Sequence, residues 1–319
     1  MNTAMNTVVM LALPLALAFA AAPGARAEVG KPQEVAPGVW FHEGDLVRRG
    51  HSNNGWVVLR DQVLVIDANF PSGAADVLPK IRATSTRPIR LAFDTHHHGD
   101  HAYGNQAWVD QGAAIVAHEG VLAEIRRHET GFFGGPPGRW EAEAASRPDV
   151  RASRLAPPTL LFRDKLVVDD GTMRVELLHL GVAHTRGDGF AWLPKERILF
   201  TGDACVNGPY NSVGDASIAD WVRTLAAAEA LKPRVVCPGH GLMAGPELLG
   251  RQRAFLELLQ AEARAFVDAG ATPGAAKAAL DKVRDKARAS DATRDFVGPF
   301  FPAQWEKAWT EAGGPAFPR

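Results

Sequence analysis

The chain has 319 residues, of which 46% are hydrophobic and 22% charged, and its formal net charge at pH 7 is −1. This is an ordinary globular composition, and the length suits one large domain or two modest ones. The nearly neutral charge balance argues against a basic nucleic-acid-binding protein and against binding to an anionic membrane surface. We therefore expect a small-molecule substrate, and the function has to be read from local motifs.

The first 27 residues have the layout of a secretory signal peptide. Residues 8–22 are almost wholly apolar, and Ala25-Arg26-Ala27 reads as an A-x-A cleavage site before Glu28. The apolar run is about 15 residues, shorter than the ~20 that span a bilayer, which disfavours an uncleaved membrane anchor. Residues 1–7 contain no Lys or Arg, so the usual positive start is missing. We predict cleavage after residue 27 and a mature protein that is periplasmic or secreted.

Strand and helix patterns alternate over the first half of the mature chain. Residues 39–61 alternate and are rich in Val and Trp, and residues 62–66 are a short apolar run; both are predicted to form antiparallel strands. The later elements predicted in this half are a helix at 72–83, a strand at 89–93, a helix at 105–111, a strand at 113–117 and a helix at 121–129.

Residues 131–158 are predicted to form a long loop that includes one helical turn around 140–145. Loops of this length are uncommon in compact domains and often functional. Phe132, Phe133 and Trp140 are candidates for lining a substrate cleft, and packing within the loop is the equal alternative.

The second half repeats the order of strands followed by helices. Ser217 is the predicted N-cap of a helix at 217–231. Two β-rich halves, each ending in helices, predict an α/β (α+β) fold with a sheet-on-sheet core covered by helices on both outer faces. The other predicted elements are strands at 159–162, 165–168, 173–180, 189–193, 197–200 and 234–237, and helices at 246–268, 273–289 and 303–311.

The strongest chemical signal is the segment 96–101, which has the pattern H-x-H-x-D-H. His96 and His98 are two residues apart, so at the end of a strand both point to the same face. Asp100 and His101 follow in the next turn. Imidazole nitrogen and carboxylate oxygen are ligands that zinc favours, and such a segment can serve two ions ~3.5–4 Å apart. The alternative for the segment alone is a solvent-facing, histidine-rich turn.

Three later segments make that alternative much weaker. Each of them places a further metal-binding residue type at the end of a predicted strand: His184, Asp203 and His240. Loops at strand ends are where such sites are built, because a rigid sheet positions them.

From about Asn53 to His240 this ordered series resembles the metallo-β-lactamase superfamily, which includes glyoxalase II, lactonases and the β-lactamases. The resemblance implies a four-layer αββα sandwich, here with extra C-terminal helices. It also implies that His96, His98 and His184 bind one zinc ion, that Asp100, His101 and His240 bind a second, that Asp203 bridges the two, and that Asp67 supports the site from outside the ligand shell.

The resemblance further implies a metal-dependent hydrolase with two zinc ions per chain. Two zinc ions lower the pKa of a shared water, and the resulting hydroxide attacks an electrophilic carbon. Asp100 and Asp203 are the predicted catalytic residues, with Asp100 orienting the hydroxide or shuttling its proton. The predicted organisation is a signal peptide at 1–27, a catalytic domain at 28–245, and a helical extension at 246–319 packed on that domain.

The substrate is left open among lactones, esters, β-lactams and thioesters. Asp203 favours the glyoxalase II and lactonase branch, because β-lactamases mostly lack a bridging aspartate. Glutathione is disfavoured, because Tyr210 is the last tyrosine and the C-terminal helices offer none. The competing interpretations are a hydrolytic dehalogenase, a mononuclear iron oxygenase of the persulfide dioxygenase type, and a binding protein without activity. The last is disfavoured because no ligand of the series is lost.

The remaining candidate ligands are interpreted as structural. In some β-lactamases a cysteine is a zinc ligand, but at the place held here by Asp203, so Cys205 is not predicted to bind metal. A disulfide between Cys205 and Cys237 is left open. The histidines interpreted as structural are His42, His51, His97, His118, His128 and His179.

Overall fold

The structure is a computed structural model that describes residues 29–128 and 138–318. The predicted signal peptide and the first part of the predicted long loop, with Phe132 and Phe133, lie outside these residues. Within the described ranges, no helix combines the length and the apolar character needed to cross a bilayer.

The first sheet has seven strands, which lie in the order in which they occur along the chain. Strands β1 to β4 pair antiparallel, as predicted for residues 39–66, and β4 to β7 pair parallel. Parallel pairing matters here because it brings the carboxyl ends of neighbouring strands to one edge of the sheet. The strands are β1 (Pro32–Ala36), β2 (Val39–His42), β3 (Asn54–Val58), β4 (Val63–Ile66), β5 (Ile89–Phe93), β6 (Ala114–His118) and β7 (Leu160–Phe162).

The second sheet has five strands in the order β12-β11-β10-β9-β8. Strands β8 to β11 pair antiparallel, and β11 and β12 pair parallel. The strands are β8 (Lys165–Asp169), β9 (Arg174–Leu178), β10 (Phe190–Leu193), β11 (Ile198–Gly202) and β12 (Val235–Pro238).

The helices fall into an N-terminal set and a C-terminal set, and the second set follows β11. The first comprises α1 (Leu46–Arg49), α2 (Pro71–Thr84), α3 (Gly99–Ala102), α4 (Asn105–Asp110), α5 (Glu119–Ile125), α6 (Arg139–Ser146) and α7 (Pro148–Arg151). The second comprises α8 (Ile218–Ala230), α9 (Glu247–Asp268), α10 (Pro273–Ala278), α11 (Leu280–Arg288) and α12 (Phe301–Glu311).

The two sheets pack face to face, and strand β4 shows why its sequence is apolar throughout. Leu64 and Ile66 point into the core between the sheets, while Val63 and Val65 point the other way, onto α2 and α4. Side chains alternate between the faces of a strand, so a strand buried on both faces must be apolar at every position. Gly55 lets the sheets approach closely, because a Cβ there would meet the ring of Phe200 at 2.3 Å.

The outer face of the second sheet is covered by the C-terminal helices. Trp221 of α8, Phe255 of α9 and Trp305 of α12 belong to one buried cluster with Phe190 and Leu199 of the sheet. The layers are therefore helix, sheet, sheet and helix. This confirms the predicted αββα sandwich, and the helices of the 246–319 segment share its core.

In the described part of the predicted loop at 131–158, the helical turn predicted around 140–145 lies within α6, whereas the loop prediction is wrong for the residues that form α7. Trp140 of α6 packs its ring 4.6 Å from that of Tyr103, and Ala144 contacts the same small cluster. Pro148 stands in the first turn of α7, a position that proline favours. Tertiary packing contributes to fixing these helices, and Trp140 takes part in that packing.

Three further elements differ from the prediction. The 39–61 region is interrupted by α1, which Asp45 caps by accepting a hydrogen bond from the Arg48 N–H at 3.1 Å. Strand β1 lies outside the predicted elements. The helix predicted at 273–289 is divided at Ala279 into α10 and α11, although no glycine or proline marks the break. The predicted cap Ser217 is confirmed, since its side chain accepts from the Asp220 N–H.

Gln252 of α9 connects the C-terminal helices to the loop after β11. Its side chain is fully buried; Oε1 accepts from the Val206 N–H at 2.8 Å, and Nε2 donates to the Ala204 carbonyl at 3.3 Å. Gln252→Leu should lower the free energy of unfolding by about 1–3 kcal/mol, because a buried N–H loses its acceptor. Urea denaturation followed by tryptophan fluorescence measures this. Gln260→Leu, on the same helix at a half-buried site, should change stability by less than about 0.5 kcal/mol; equal losses in both variants would contradict the proposed contribution of the hydrogen bonds.

Candidate metal centre

A cluster of histidine and aspartate side chains lies where the carboxyl ends of several strands meet. Strands β4 and β5 run parallel in the first sheet, and β11 and β12 run parallel in the second. His96 follows β5, Asp203 follows β11 directly, and His240 follows β12. His184 comes from the loop between β9 and β10. Residues far apart in sequence are thus delivered to one edge of the packed sheets.

The first group of donors consists of three imidazoles, those of His96, His98 and His184. Their ring centroids lie 4.7–5.0 Å apart. The Nε2 atom of His184 is 2.9 Å from Nδ1 of His98. Nitrogens from all three rings therefore face one small volume.

The second group consists of Asp100, His101 and His240. The carboxylate Oδ2 of Asp100 lies 3.2 Å from Nε2 of His240 and 3.5 Å from Nε2 of His101. The two Nε2 atoms are themselves 3.5 Å apart. Here a carboxylate and two imidazole nitrogens converge, a mixed set that divalent zinc accepts.

Asp203 lies between the two groups. Its Oδ1 is 3.3 Å from Nε2 of His101, and its Oδ2 is 3.3 Å from Nε2 of His240 and 3.7 Å from Nε2 of His184. The approach depends on Gly239, where a Cβ would stand 2.1 Å from Oδ1 of Asp203. A carboxylate in contact with both groups has the position that a bridging ligand requires.

The protein alone leaves donor atoms of this cluster without partners. Among the described residues, the buried Nε2 atom of His96 has no hydrogen-bond partner. In His184, Nδ1 faces the carbonyl oxygen of Ser212 at 3.0 Å and must carry the hydrogen, so the lone pair lies on Nε2 inside the cluster. Leaving buried polar atoms unsatisfied costs about 1–3 kcal/mol each. A metal ion would accept these lone pairs, and the donor set fits zinc.

Two members of the first group, His96 and His184, have lowered pKa values. Burial lowers the pKa of His96 well below its ordinary value, and the neighbouring rings of His101 and His98 add to the effect. Burial and the adjacent His98 lower the pKa of His184 to about 3. Neutral imidazole is the form that binds a metal, so His96 and His184 need no deprotonation at neutral pH.

The second group is electrostatically different because it contains carboxylates. Burial lowers the pKa of His240, but Asp203 and Asp100 outweigh it and raise that pKa to about 9. The same balance raises the pKa of His101. Burial alone would raise the pKa of Asp203, yet His240 and His101 hold it well below its usual range. Without a metal ion, the protons on His101 and His240 provide the positive charge that balances the carboxylates. A bound metal ion would provide that charge instead, and its binding would release these protons.

Asp67 holds His101 from the side opposite to the cluster. Its Oδ2 lies 2.9 Å from Nδ1 of His101. Thr95 fixes the carboxylate in turn, donating its N–H to Oδ1 at 2.8 Å and its hydroxyl to Oδ2 at 3.0 Å. Asp67 has a φ of 62°, and Asn54 donates to its carbonyl oxygen at 2.8 Å. A partner of this kind fixes the ring orientation of a metal-binding histidine.

Two further outer contacts were not found by sequence reasoning. The loop between β11 and α8 supplies the Ser212 carbonyl to His184 and the Asp215 carboxylate to Nε2 of His98, at 2.8 Å. The first contact uses the backbone, so no side-chain motif signals it. The second joins residues 117 positions apart, and Gly214-Asp215 in the sequence indicates only a turn.

The histidines interpreted as structural lie outside the two donor groups described above. His118 and His179 stack on one another, with ring centroids 3.9 Å apart. His51 is bonded to the Ser72 hydroxyl, and His42 is buried in β2. His97 is buried, with its Nε2 3.5 Å from Oδ2 of Asp215. The side chain of His128 lies outside the described residues.

The cysteines are free, and both are buried. Burial raises the pKa of the Cys205 and Cys237 thiols, which keeps them protonated. Neither belongs to a donor group within the described part of the chain.

Relatives of the chain include two curated proteins of modest similarity. The 2,4-dinitroanisole O-demethylase subunit alpha of Nocardioides sp. (strain JS1661) is 27% identical over 158 residues, covering 48% of this chain and 41% of that protein. The linear primary-alkylsulfatase of Pseudomonas sp. (strain ATCC 19151) is 26% identical over 196 residues, covering 52% and 36%. The match thus spans less than half the length of either relative.

Solved structures share the fold. A metallo-beta-lactamase from Pontibacter korlensis superposes with a TM-score of 0.57 at 20% identity, covering 71% of this chain and 98% of that one. The DIM-1 metallo-beta-lactamase superposes with a TM-score of 0.56 at 20% identity, covering 71% of this chain and 96% of that one. The family model of the metallo-beta-lactamase superfamily matches residues 47–240, more than half of the chain and the whole span of the donor cluster. The αββα layers and this match together place the chain in the metallo-beta-lactamase superfamily.

Proposed function

We propose that this protein is an exported hydrolase with a two-zinc centre, which adds water to an electrophilic carbon of a lactone, ester, β-lactam or thioester. The observation that carries the proposal is the pair of three-donor groups in contact with one shared carboxylate, that of Asp203. Bound zinc ions would lower the pKa of a shared water and polarise the bond under attack.

The proposed ligands follow the two groups. His96, His98 and His184 hold one ion, Asp100, His101 and His240 hold the other, and Asp203 contributes to both.

Asp100 is the donor best placed to move a proton. Its side chain is 24% exposed, whereas those of Asp203 and His240 are nearly covered. A carboxylate that contacts both the cluster and solvent can orient an attacking water, accept its proton and release that proton to bulk water. Asp203 and His240 lie on the buried side of the donor cluster. We therefore propose that substrate approaches the cluster from the more exposed side, where Asp100 lies.

The names of the curated relatives widen the range of electrophiles worth testing. One relative is named for removal of a methyl group from an aryl ether and the other for an alkyl sulfate. A substrate panel for this chain should therefore contain an aryl methyl ether and an alkyl sulfate beside lactones, carboxylic esters, β-lactams and thioesters. Activity confined to the first two would move the proposed substrate class away from carbonyl compounds.

Protein purified from the periplasm should contain about two zinc ions per chain. Two complete donor groups with a shared carboxylate provide ligands for two ions. Elemental analysis per mole of chain measures this directly. A single iron per chain would instead support the mononuclear oxygenase interpretation and remove the hydrolase proposal.

Asp203→Ala should reduce the metal content from about two ions to about one and abolish most of the hydrolytic rate. The reason is that the variant removes the only carboxylate in contact with both groups among the described residues. Metal content and turnover of the most active substrate in the panel are the measurements. Asp268→Ala, at the exposed end of α9, is the matched control; full retention of both metals by Asp203→Ala would exclude the bridging role.

Export can be tested separately from catalysis. The apolar run at 8–22 and the A-x-A site before Glu28 support cleavage after residue 27. N-terminal sequencing of the chain recovered from the periplasmic fraction should begin at Glu28. Recovery in the membrane fraction with residues 1–27 still attached would support an anchor instead.

A further inference from the structure

The loop between β11 and α8 holds two proposed ligands of the first ion from outside the cluster. The Ser212 carbonyl accepts from Nδ1 of His184 at 3.0 Å, and the Asp215 carboxylate faces Nε2 of His98 at 2.8 Å. The two contacts are made at opposite ring positions. His184 is therefore left with Nε2 directed inward, and His98 with Nδ1 directed inward.

The contact with Asp215 has a chemical consequence for His98. An ionised carboxylate can only accept a hydrogen bond, so Nε2 of His98 must carry the hydrogen. The lone pair of the neutral ring then lies on Nδ1, which is 2.9 Å from Nε2 of His184. Without an acceptor at Nε2 the ring could adopt the other tautomer, with a hydrogen pointing into the cluster.

The second donor group also contains a histidine whose outward-facing ring nitrogen contacts a carboxylate. Asp67 accepts from Nδ1 of His101 at 2.9 Å and leaves Nε2 of that ring to face Asp100 and Asp203. Each group thus contains one histidine backed by a carboxylate. Asp67 is buried beside its strand, whereas the side chain of Asp215 is 42% exposed and comes from a distant loop.

A third metal site at Asp215 is the main alternative. Donor atoms of His97, His98 and Asp215 lie close enough together to hold an ion. His98, however, has a single lone pair when neutral, and using it on both sides would require loss of its remaining proton. The guanidinium of Arg139 also lies 3.5 Å from Oδ2 of Asp215 and already supplies positive charge there. These contacts favour a hydrogen-bond acceptor over a metal ligand.

We propose that Asp215 is a positioning residue for the first metal ion: it fixes the tautomer and orientation of His98, so that Nδ1 is the donor. The inference rests on the proposed two-metal centre. It extends that centre to a carboxylate that contacts a ligand of the first ion from outside the donor cluster. Outer carboxylates of this kind typically change metal affinity by about 10–100-fold.

The test compares full-length wild-type protein with Asp215→Ala and Asp215→Asn. Zinc affinities are measured by competition with a chromophoric chelator, and cobalt(II) absorption reports the geometry at each ion. Asp215→Ala should weaken one of the two zinc affinities about 10–100-fold and alter the cobalt spectrum. Asp215→Asn, which keeps a neutral acceptor, should lie between alanine and wild type. Asp110→Ala removes another exposed aspartate paired with an arginine and should match wild type.

Nitrogen-15 NMR of the histidine rings gives a readout that a purely structural role would not move. In the zinc-loaded wild type, His98 should show a protonated Nε2 and a metal-bound Nδ1, and this pattern should be lost or mixed in Asp215→Ala. Unchanged affinities and an unchanged pattern would overturn the inference. So would equal weakening of both sites together with a lower melting temperature of the metal-free variant, which would indicate a general structural role.

The wild-type stoichiometry separates the two proposals. Fewer than two ions in the wild type would refute the two-zinc centre, whatever the variants show. Three ions in the wild type and two in Asp215→Ala would overturn the acceptor role and establish Asp215 as a ligand.

Discussion

Repulsion among buried lone pairs is the constraint on which the rest of this structure depends. At the edge where β5, β11 and β12 end, inward-facing nitrogen and oxygen atoms of the donor cluster lie as close as 2.9 Å. Atoms of this kind repel unless a proton or a metal ion lies between them. The two packed sheets hold the strand ends rigidly, and Asp67, Ser212 and Asp215 prevent the rings from turning away. The fold thus maintains a geometry that the side chains alone would relax.

Much of this arrangement was predictable because its strongest signals are local. The spacing H-x-H-x-D-H brings four potential donors into one six-residue segment, which is visible in the sequence. His184, Asp203 and His240 each follow a run that reads as a strand, and strand ends meet at a sheet edge. The order of strands and helices along the chain was sufficient to predict two packed sheets covered by helices on both outer faces. The family match confirms the resemblance to the metallo-beta-lactamase superfamily.

The parts that escaped prediction depend on contacts between distant residues. Ser212 accepts the hydrogen bond from His184 through its backbone carbonyl, which every residue type has, so the identity of residue 212 does not indicate this contact. Asp215 is one acidic residue among many until the fold brings it to His98. Helix α7 was not predicted, and the packing of Trp140 against Tyr103 is a tertiary contact that sequence periodicity does not register. Tertiary packing of this kind routinely overrides local propensity.

The loop between β11 and α8 has little freedom to diverge. It begins with the shared donor Asp203, is hydrogen-bonded to Gln252 near its start, and carries both outer partners near its end. An insertion there would displace the donor side chains that this loop carries or contacts. We therefore expect changes in substrate specificity to arise in segments that carry no donor side chain of the cluster. The stretch containing α1 is one: Val47 is 90% exposed and shares a surface cavity with Tyr210, whose ring lies 5.9 Å from that of His240.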